Sequence, residues 1–166
     1  MSLVLETGVP FSEIIARLAL SHALNAAGDQ EEAERELASV WPVIMATSSF
    51  YFEYLYWLTD AYFKYARKNE TAGEASLKKA MMLGRNRGFI TQLNFWRPDV
   101  MAFLCGKALE AGIGRDYVKD LIRKLNLIPG EESMDIENWP WPVKVRSTPS
   151  SSRIGKSVPT SRRSTR

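Results

Sequence analysis

Between Gly88 and Gly112 the chain reads helix stop, bulky elbow, helix start, helix stop. Gly88 suits the left-handed residue that closes a helix, and Phe95-Trp96 supplies the elbow. Pro98 fits a first helical turn, and Gly112 ends the helix it opens. This punctuation confines the chain to short helices joined by tight turns, the grammar of a helical-repeat array. Such arrays present surfaces, so any chemistry on them has to be argued residue by residue.

The same punctuation recurs upstream. Pro10 can occupy a first helical turn, where its missing N–H costs nothing, and Ile14, Ile15, Leu18, Leu20, Ala23 and Leu24 recur at helical spacing. Ala27-Gly28-Asp29 breaks that pattern: Gly28 suits a left-handed position after a helix, and Asp29 can cap the next one. Ala33, Leu37, Val40 and Trp41 give the second helix an apolar face, Glu31, Glu32, Glu34 and Glu36 a solvated one, and Pro42 is expected to end or kink it. So short a turn makes the two helices antiparallel partners. A second hairpin is predicted from 49–67 and about 71–87, joined at Lys68-Asn69-Glu70, and a third from about 98–111 and 115–125. The turns at Gly28 and Asn69 lie about 40 residues apart, in the range of two-helix solenoid repeats. One hairpin cannot bury its own apolar face, so about three stacked hairpins form a minimal stable set.

Charge separates the helical region from the C-terminal end of the chain. Residues 143–166 carry seven basic groups and no acid, whereas residues 1–142 carry 15 basic against 19 acidic groups, a net of −4. The basic balance of the whole chain therefore describes its tail and gives no reason to expect a nucleic-acid-binding fold. Pro129-Gly130 closes the helices, and Glu131, Glu132, Asp135 and Glu137 make an acidic linker. Trp139-Pro140-Trp141-Pro142-Val143-Lys144-Val145 is expected to be extended, because each proline disfavours helix in the residue before it. From Ser147 on, ten of twenty residues are Ser or Thr, and only Ile154 and Val158 are large and apolar; 147–166 is expected to be disordered. The single cysteine, Cys105, excludes an internal disulfide and fits a reducing cytoplasm. There is no charged-then-apolar leader and no run of about 18 apolar residues, so neither a signal peptide nor a membrane span is expected.

The helix at 49–67 holds nine of the chain's eighteen aromatic residues. On a helical wheel Glu53, Asp60, Lys64 and Arg67 form a narrow polar stripe. Tyr51, Tyr54, Tyr62 and Tyr65 share one face, and Phe52, Tyr56 and Phe63 line another. A tyrosine buries its ring and needs a place for its hydroxyl. The tyrosine face is therefore either a surface that binds a peptide or small molecule, or the flank of a central helix packed between neighbours. Gly155-Lys156-Ser157 ends like a phosphate-binding loop. Ser150 stands where that loop needs its first glycine, and Pro159 prevents the helix that should come next, so no nucleotide or other cofactor is expected. His22 has no cysteine or second histidine near it, Cys105 reads as core packing, and neither a metal site nor a catalytic residue is expected. The tail could touch nucleic acid by charge alone, but it lacks aromatic residues to stack on bases.

The first hairpin resembles a tetratricopeptide repeat. Leu20, Ser21, Leu24, Gly28, Asp29, Ala33, Leu37 and Val40 fall on the motif's packing and turn positions, with Arg17 where the motif places tryptophan; the second unit keeps Ala75 but lacks the Gly-Asp turn. The fold expected is all-α: about three antiparallel hairpins forming a short right-handed solenoid over residues 1–126, then a linker with the Trp-Pro-Trp-Pro segment over 127–146, then the tail.

Further along, a more specific likeness emerges. Leu83-Gly84-Arg85-Asn86-Arg87-Gly88-Phe89, Trp96-Arg97-Pro98-Asp99-Val100-Met101, Leu104 to Ile113, Tyr117-Val118 with Leu121-Ile122-Arg123, and Glu137-Asn138-Trp139-Pro140-Trp141-Pro142-Val143 resemble the helical-repeat region of MalT-like bacterial signal-transduction ATPases, which are transcriptional regulators. The resemblance spans about residues 10–146. It implies a sensor and oligomerisation scaffold that in the family lies after an ATPase and, in one branch, precedes a winged-helix DNA-binding module. Neither flank is read here, and Ser147-Thr148-Pro149 departs from the family, as a truncation or change of reading frame would produce. The expected function is non-enzymatic, through a protein partner or small effector. Neither membrane nor, for this chain alone, nucleic acid is expected as a partner, and a homo-oligomer is allowed. A free-standing adaptor and a gene remnant without activity are the alternatives.

Overall fold

The computed structural model describes residues 9–90, 97–129 and 139–140, and every regular element among them is a helix. These are α1 (Val9–Ala27), α2 (Gln30–Thr47), α3 (Phe50–Ala66), α4 (Glu70–Arg87), α5 (Pro98–Glu110) and α6 (Arg115–Lys124). The Phe95-Trp96 elbow, the acidic linker, Trp141 to Val145 and the basic tail lie outside the described residues. No described helix is long and apolar enough to cross a membrane.

One turn chemistry makes every helix pair. Gly28 takes φ 90°; its N–H bonds the Asn25 carbonyl (3.1 Å), and the Asp29 N–H reaches back to Leu24 (3.0 Å). These bonds satisfy carbonyls orphaned at the end of α1. The Asp29 side chain then accepts the Glu32 N–H (3.3 Å) and caps α2. Forty residues on, the three bonds return: Lys68 N–H to Tyr65 (2.9 Å), Asn69 N–H to Lys64 (2.9 Å), and Ala72 N–H to the Asn69 side chain (3.3 Å). The second turn thus forms without a Gly-Asp pair. Gly112 and Ile113 make the same two backbone bonds after α5, and Gly114 starts α6 without a side-chain cap.

The forty-residue register continues into the packing. Ala33, Leu37 and Val40 in α2 correspond to Gly73, Leu77 and Ala80 in α4, and all six are buried. Gly73, and not Ala75, holds the close-contact place in the second hairpin. Ala75 is exposed, whereas a β-carbon on Gly73 would stand 3.0 Å from the Tyr65 ring. Leu20 also departs from the motif: it is 47% exposed, on a side of α1 that no described helix covers. Pro42 does not end its helix, because α2 runs through it to Thr47. Pro42 and Ala38, whose carbonyl loses its helical donor to the ring, are both exposed, so water can serve that carbonyl. Buried Val40 and Ile44 hold the inner face on either side.

α3 is the centre of the packing, touching α1, α2, α4 and α5. Its Phe52 meets Phe11 (5.5 Å between ring centroids), Tyr56 meets Trp41 (4.6 Å) and Phe63 meets His22 (5.5 Å), so this face joins the first hairpin. The polar stripe is bridged to its neighbours. Asp60 accepts from Ser76 (2.5 Å) and Lys64 (2.6 Å), and Arg67 pairs with Glu34 (2.9 Å). Ion pairs this open to water contribute about 0–1 kcal/mol each, so the buried rings, not the pairs, hold α3 in place. Trp139, from the Trp-Pro-Trp-Pro segment, is buried in the same core, and its indole N–H has no hydrogen-bond partner among the described residues.

Candidate functional site

The tyrosine face of α3 divides into two unlike halves. Tyr51 and Tyr54 close around Phe89, at 5.4 and 5.6 Å between ring centroids. Tyr54 is only 3% exposed. Tyr117, from α6, donates its hydroxyl proton to the Phe89 carbonyl (2.6 Å), and its oxygen lies 3.4 Å from the Tyr54 hydroxyl. With that proton committed, Tyr117 accepts from Tyr54. Burial, then the Tyr117 contact, pushes the Tyr54 phenol well above its ordinary pKa, and burial lifts Tyr117 to about 12. Gly84 makes room for both rings: a β-carbon there would lie 2.8 Å from Tyr54 and closer still to the Tyr117 oxygen. This half is interior structure.

Tyr62 and Tyr65 turn instead to Phe103 of α5, edge-on at 6.1 and 5.7 Å. Together with Lys68, Asp99 and Val100 these rings border a cleft of about 370 Å³. Neither the Tyr62 nor the Tyr65 hydroxyl bonds a described residue, in contrast to Tyr54. The Tyr65 phenol is raised to about 12 by burial and by Glu70, Glu74 and Glu110, so its hydroxyl is a donor at neutral pH. Asp99 is held by Arg97 through Nε (3.1 Å) and Nη2. Those bonds keep its carboxyl below the usual range and raise Arg97 further.

Behind Tyr62 stands His22, stacked on its ring at 6.0 Å. His22 Nε2 lies 3.1 Å from the Thr59 hydroxyl, which itself donates to the Leu55 carbonyl (2.9 Å). Thr59 is thereby left as acceptor, which places the proton on Nε2. Burial, reinforced by Arg97, pushes His22 down to about 4, so it is neutral near pH 7. Cys105 is fully buried, and burial alone raises its thiol to about 12, which makes it a packing group and not a thiolate nucleophile.

Of the four tyrosines on the predicted face, then, Tyr62 and Tyr65 border a cleft and Tyr51 and Tyr54 pack on Phe89; each half has one buried ring, Tyr54 or Tyr65, and one half-buried ring, Tyr51 or Tyr62. The sequence reading missed Lys68, Asp99 and Phe103. Lys68 had a usable signal: laid over the first turn at the forty-residue offset, it falls on Gly28. Asp99 and Phe103 had none, because their place depends on how α5 docks on α3. No protein-family profile, no curated protein and no solved structure matches this chain.

Proposed function

We infer that the chain is a tetratricopeptide-like unit, about three antiparallel hairpins wound as a short right-handed solenoid, and that it binds a protein segment or small effector and catalyses nothing. One observation carries this reading: the Tyr62 and Tyr65 hydroxyls border the α3–α5 cleft without a partner among the described residues. A hydroxyl in such a place is served by water or by a ligand, and exchanging the first for the second costs little. The cleft's volume lies within the range of small-ligand sites, and its walls combine apolar rings with a few polar groups. The state of the two classically reactive side chains supports binding over catalysis, since Cys105 is a buried thiol and His22 is engaged with Thr59. The resemblance to the repeat region of MalT-like regulators supplies the setting: a cytoplasmic sensor and scaffold belonging to a transcription regulator, with the cleft as its effector or partner site.

Titrating the ¹⁵N-labelled chain with a panel of small acids, amides, amines and short peptides tests the reading. Saturable amide shifts are expected to concentrate on Tyr62 to Lys68 and on Asp99 to Phe103. Saturable shifts that leave those positions unmoved, or none with any probe, would remove the cleft as the working surface.

A further inference from the structure

Lys68 holds a conformation that the other two hairpin turns give to glycine. Its φ is 58°, against 90° at Gly28 and 69° at Gly112, and all three residues make the same backbone bonds. A β-carbon in that left-handed region crowds the carbonyl of the same residue, which glycine avoids. The turn's own hydrogen bonds use only the Lys68 backbone. Strain kept where the fold accepts glycine points to a use for the side chain.

That side chain borders the cleft, and its charge is unusual for its surroundings. Asp99 is tied to Arg97, Asp60 to Lys64, and Arg67 to Glu34. Glu70 and Glu110 lie 3.5 and 3.4 Å from Lys107. Glu74 lines a second cleft, with Lys78 and Arg85, while its charge, like those of Glu70 and Glu110, also reaches Tyr65. Lys68 has no ion pair among the described residues. A Lys68 ammonium with no ion pair to a described residue therefore borders the same cleft as two phenol O–H groups that bond no described residue, over apolar walls at Val100 and Phe103.

The geometry points to a carboxylate on a compact apolar body as the ligand of this cleft. The carboxylate accepts from Lys68 Nζ and from the Tyr62 and Tyr65 hydroxyls, and the body lies against Phe103 and Val100. This rests on the cleft being a binding site and adds the ligand's chemistry. An amine would meet the like charge of Lys68, and a neutral amide would forgo the charge-assisted bond. A free acid and the C-terminus of a peptide share this chemistry.

Calorimetric titration of the full chain with two matched pairs tests the proposal: phenylacetate against phenylacetamide, and N-acetyl-Gly-Phe against its C-terminal amide. At least one acid is expected to bind roughly tenfold more tightly than its amide. The pair that shows the preference identifies the source. Lys68→Gly is expected to erase the preference while melting at or above the wild-type temperature, since glycine relieves the turn; misfolding cannot produce that combination. Acid and amide binding alike, or an undiminished preference in Lys68→Gly, overturns the carboxylate and leaves the cleft standing. If none of the four probes binds while another compound shifts the cleft amides, the carboxylate again falls alone; if no compound shifts them, both readings fall.

Discussion

The two halves of α3 put the same residue type to opposite uses. Tyr51 and Tyr54 pack on Phe89, and Tyr117 from α6 meets Tyr54, whose hydroxyl finds its partner inside the protein. Tyr62 and Tyr65, about three helical turns further on, pack edge-on against Phe103 of α5 and border a cleft, and neither hydroxyl bonds a described residue. The residue pattern within α3 is nearly the same in both halves. What differs is the element laid over each: α6 supplies a hydrogen-bond partner at one end, and α5 lies over the other without one. A hydroxyl on a helix face is thus assigned to core or to site by its neighbour's length and docking, not by its own periodicity.

The largest effect that would sharpen this contrast comes with acid. His22 stands at the open end with a folded pKa of about 4 against an ordinary 6.5. Below pH 6.5 the unfolded chain takes up a proton that the folded chain refuses until about pH 4. The stability linked to His22 is therefore complete above pH 6.5 and is lost as pH falls towards 4, by on the order of 3 kcal/mol. Urea melts across that window should show a steeper decline in the wild type than in His22→Gln, and equal slopes would break the argument. Proton spectra should show Tyr62 and Phe103 responding before Tyr54 and Phe89.

Next in size is a pair of glycines in α4, one under each half. Gly84→Ala drives a methyl group into the bonded Tyr54–Tyr117 pair and should cost about 1–3 kcal/mol. Gly73→Ala brings its methyl nearest to the Tyr65 ring, at 3.0 Å rather than 2.2–2.9 Å, and that ring has the cleft on one side to shift towards. The better helix propensity of alanine, about 1 kcal/mol, offsets the shift, so Gly73→Ala should lie within about 0.5 kcal/mol of wild type. Thermal melts that show equal losses for the two would mean that the halves are packed alike.

The smallest effects belong to the hydroxyls. Tyr117→Phe removes the donor to the Phe89 carbonyl and should cost about 1 kcal/mol. Tyr62→Phe and Tyr65→Phe together remove no internal bond, and the double variant should stay within about 0.5 kcal/mol. A double variant that melts well below wild type would place those hydroxyls in the interior after all.

Helix positions are legible in the sequence because they depend on local chemistry. Gly28, Asp29, Pro98 and Gly112 each act through their own backbone or the next few residues, and the helices begin and end close to where those residues place them. Two expectations, that Pro42 could end its helix and that Ala75 holds the close-contact place, depart from the structure for physical reasons that a motif does not contain. Pro42 breaks a helix only if the orphaned carbonyl has no alternative, and on an exposed face water is the alternative. Ala75 aligns only in the absence of a Gly-Asp turn to anchor the count, whereas counting from the Asn69 cap leads to Gly73. The candidate site is half legible. The wheel puts four tyrosines on one face and correctly separates them from Phe52, Tyr56 and Phe63, but the division of the four is tertiary information. It requires knowing that Tyr117, sixty-three residues from Tyr54, folds back onto it.

Ser48 and Gly88 give the forty-residue register one more consequence. Both close a hairpin in the left-handed region, at φ 52° and 67°, and their N–H groups reach Met45 and Arg85 by the same bond, at 3.3 and 3.4 Å. The second joint adds a bond from the Phe89 N–H to the Gly84 carbonyl (2.9 Å) that the first does not make. Hairpin 49–88 is thus bounded by two left-handed steps of one kind, which makes it a natural unit of insertion. A chain carrying a second copy of 49–88 is expected to melt higher than one carrying a second copy of half of it.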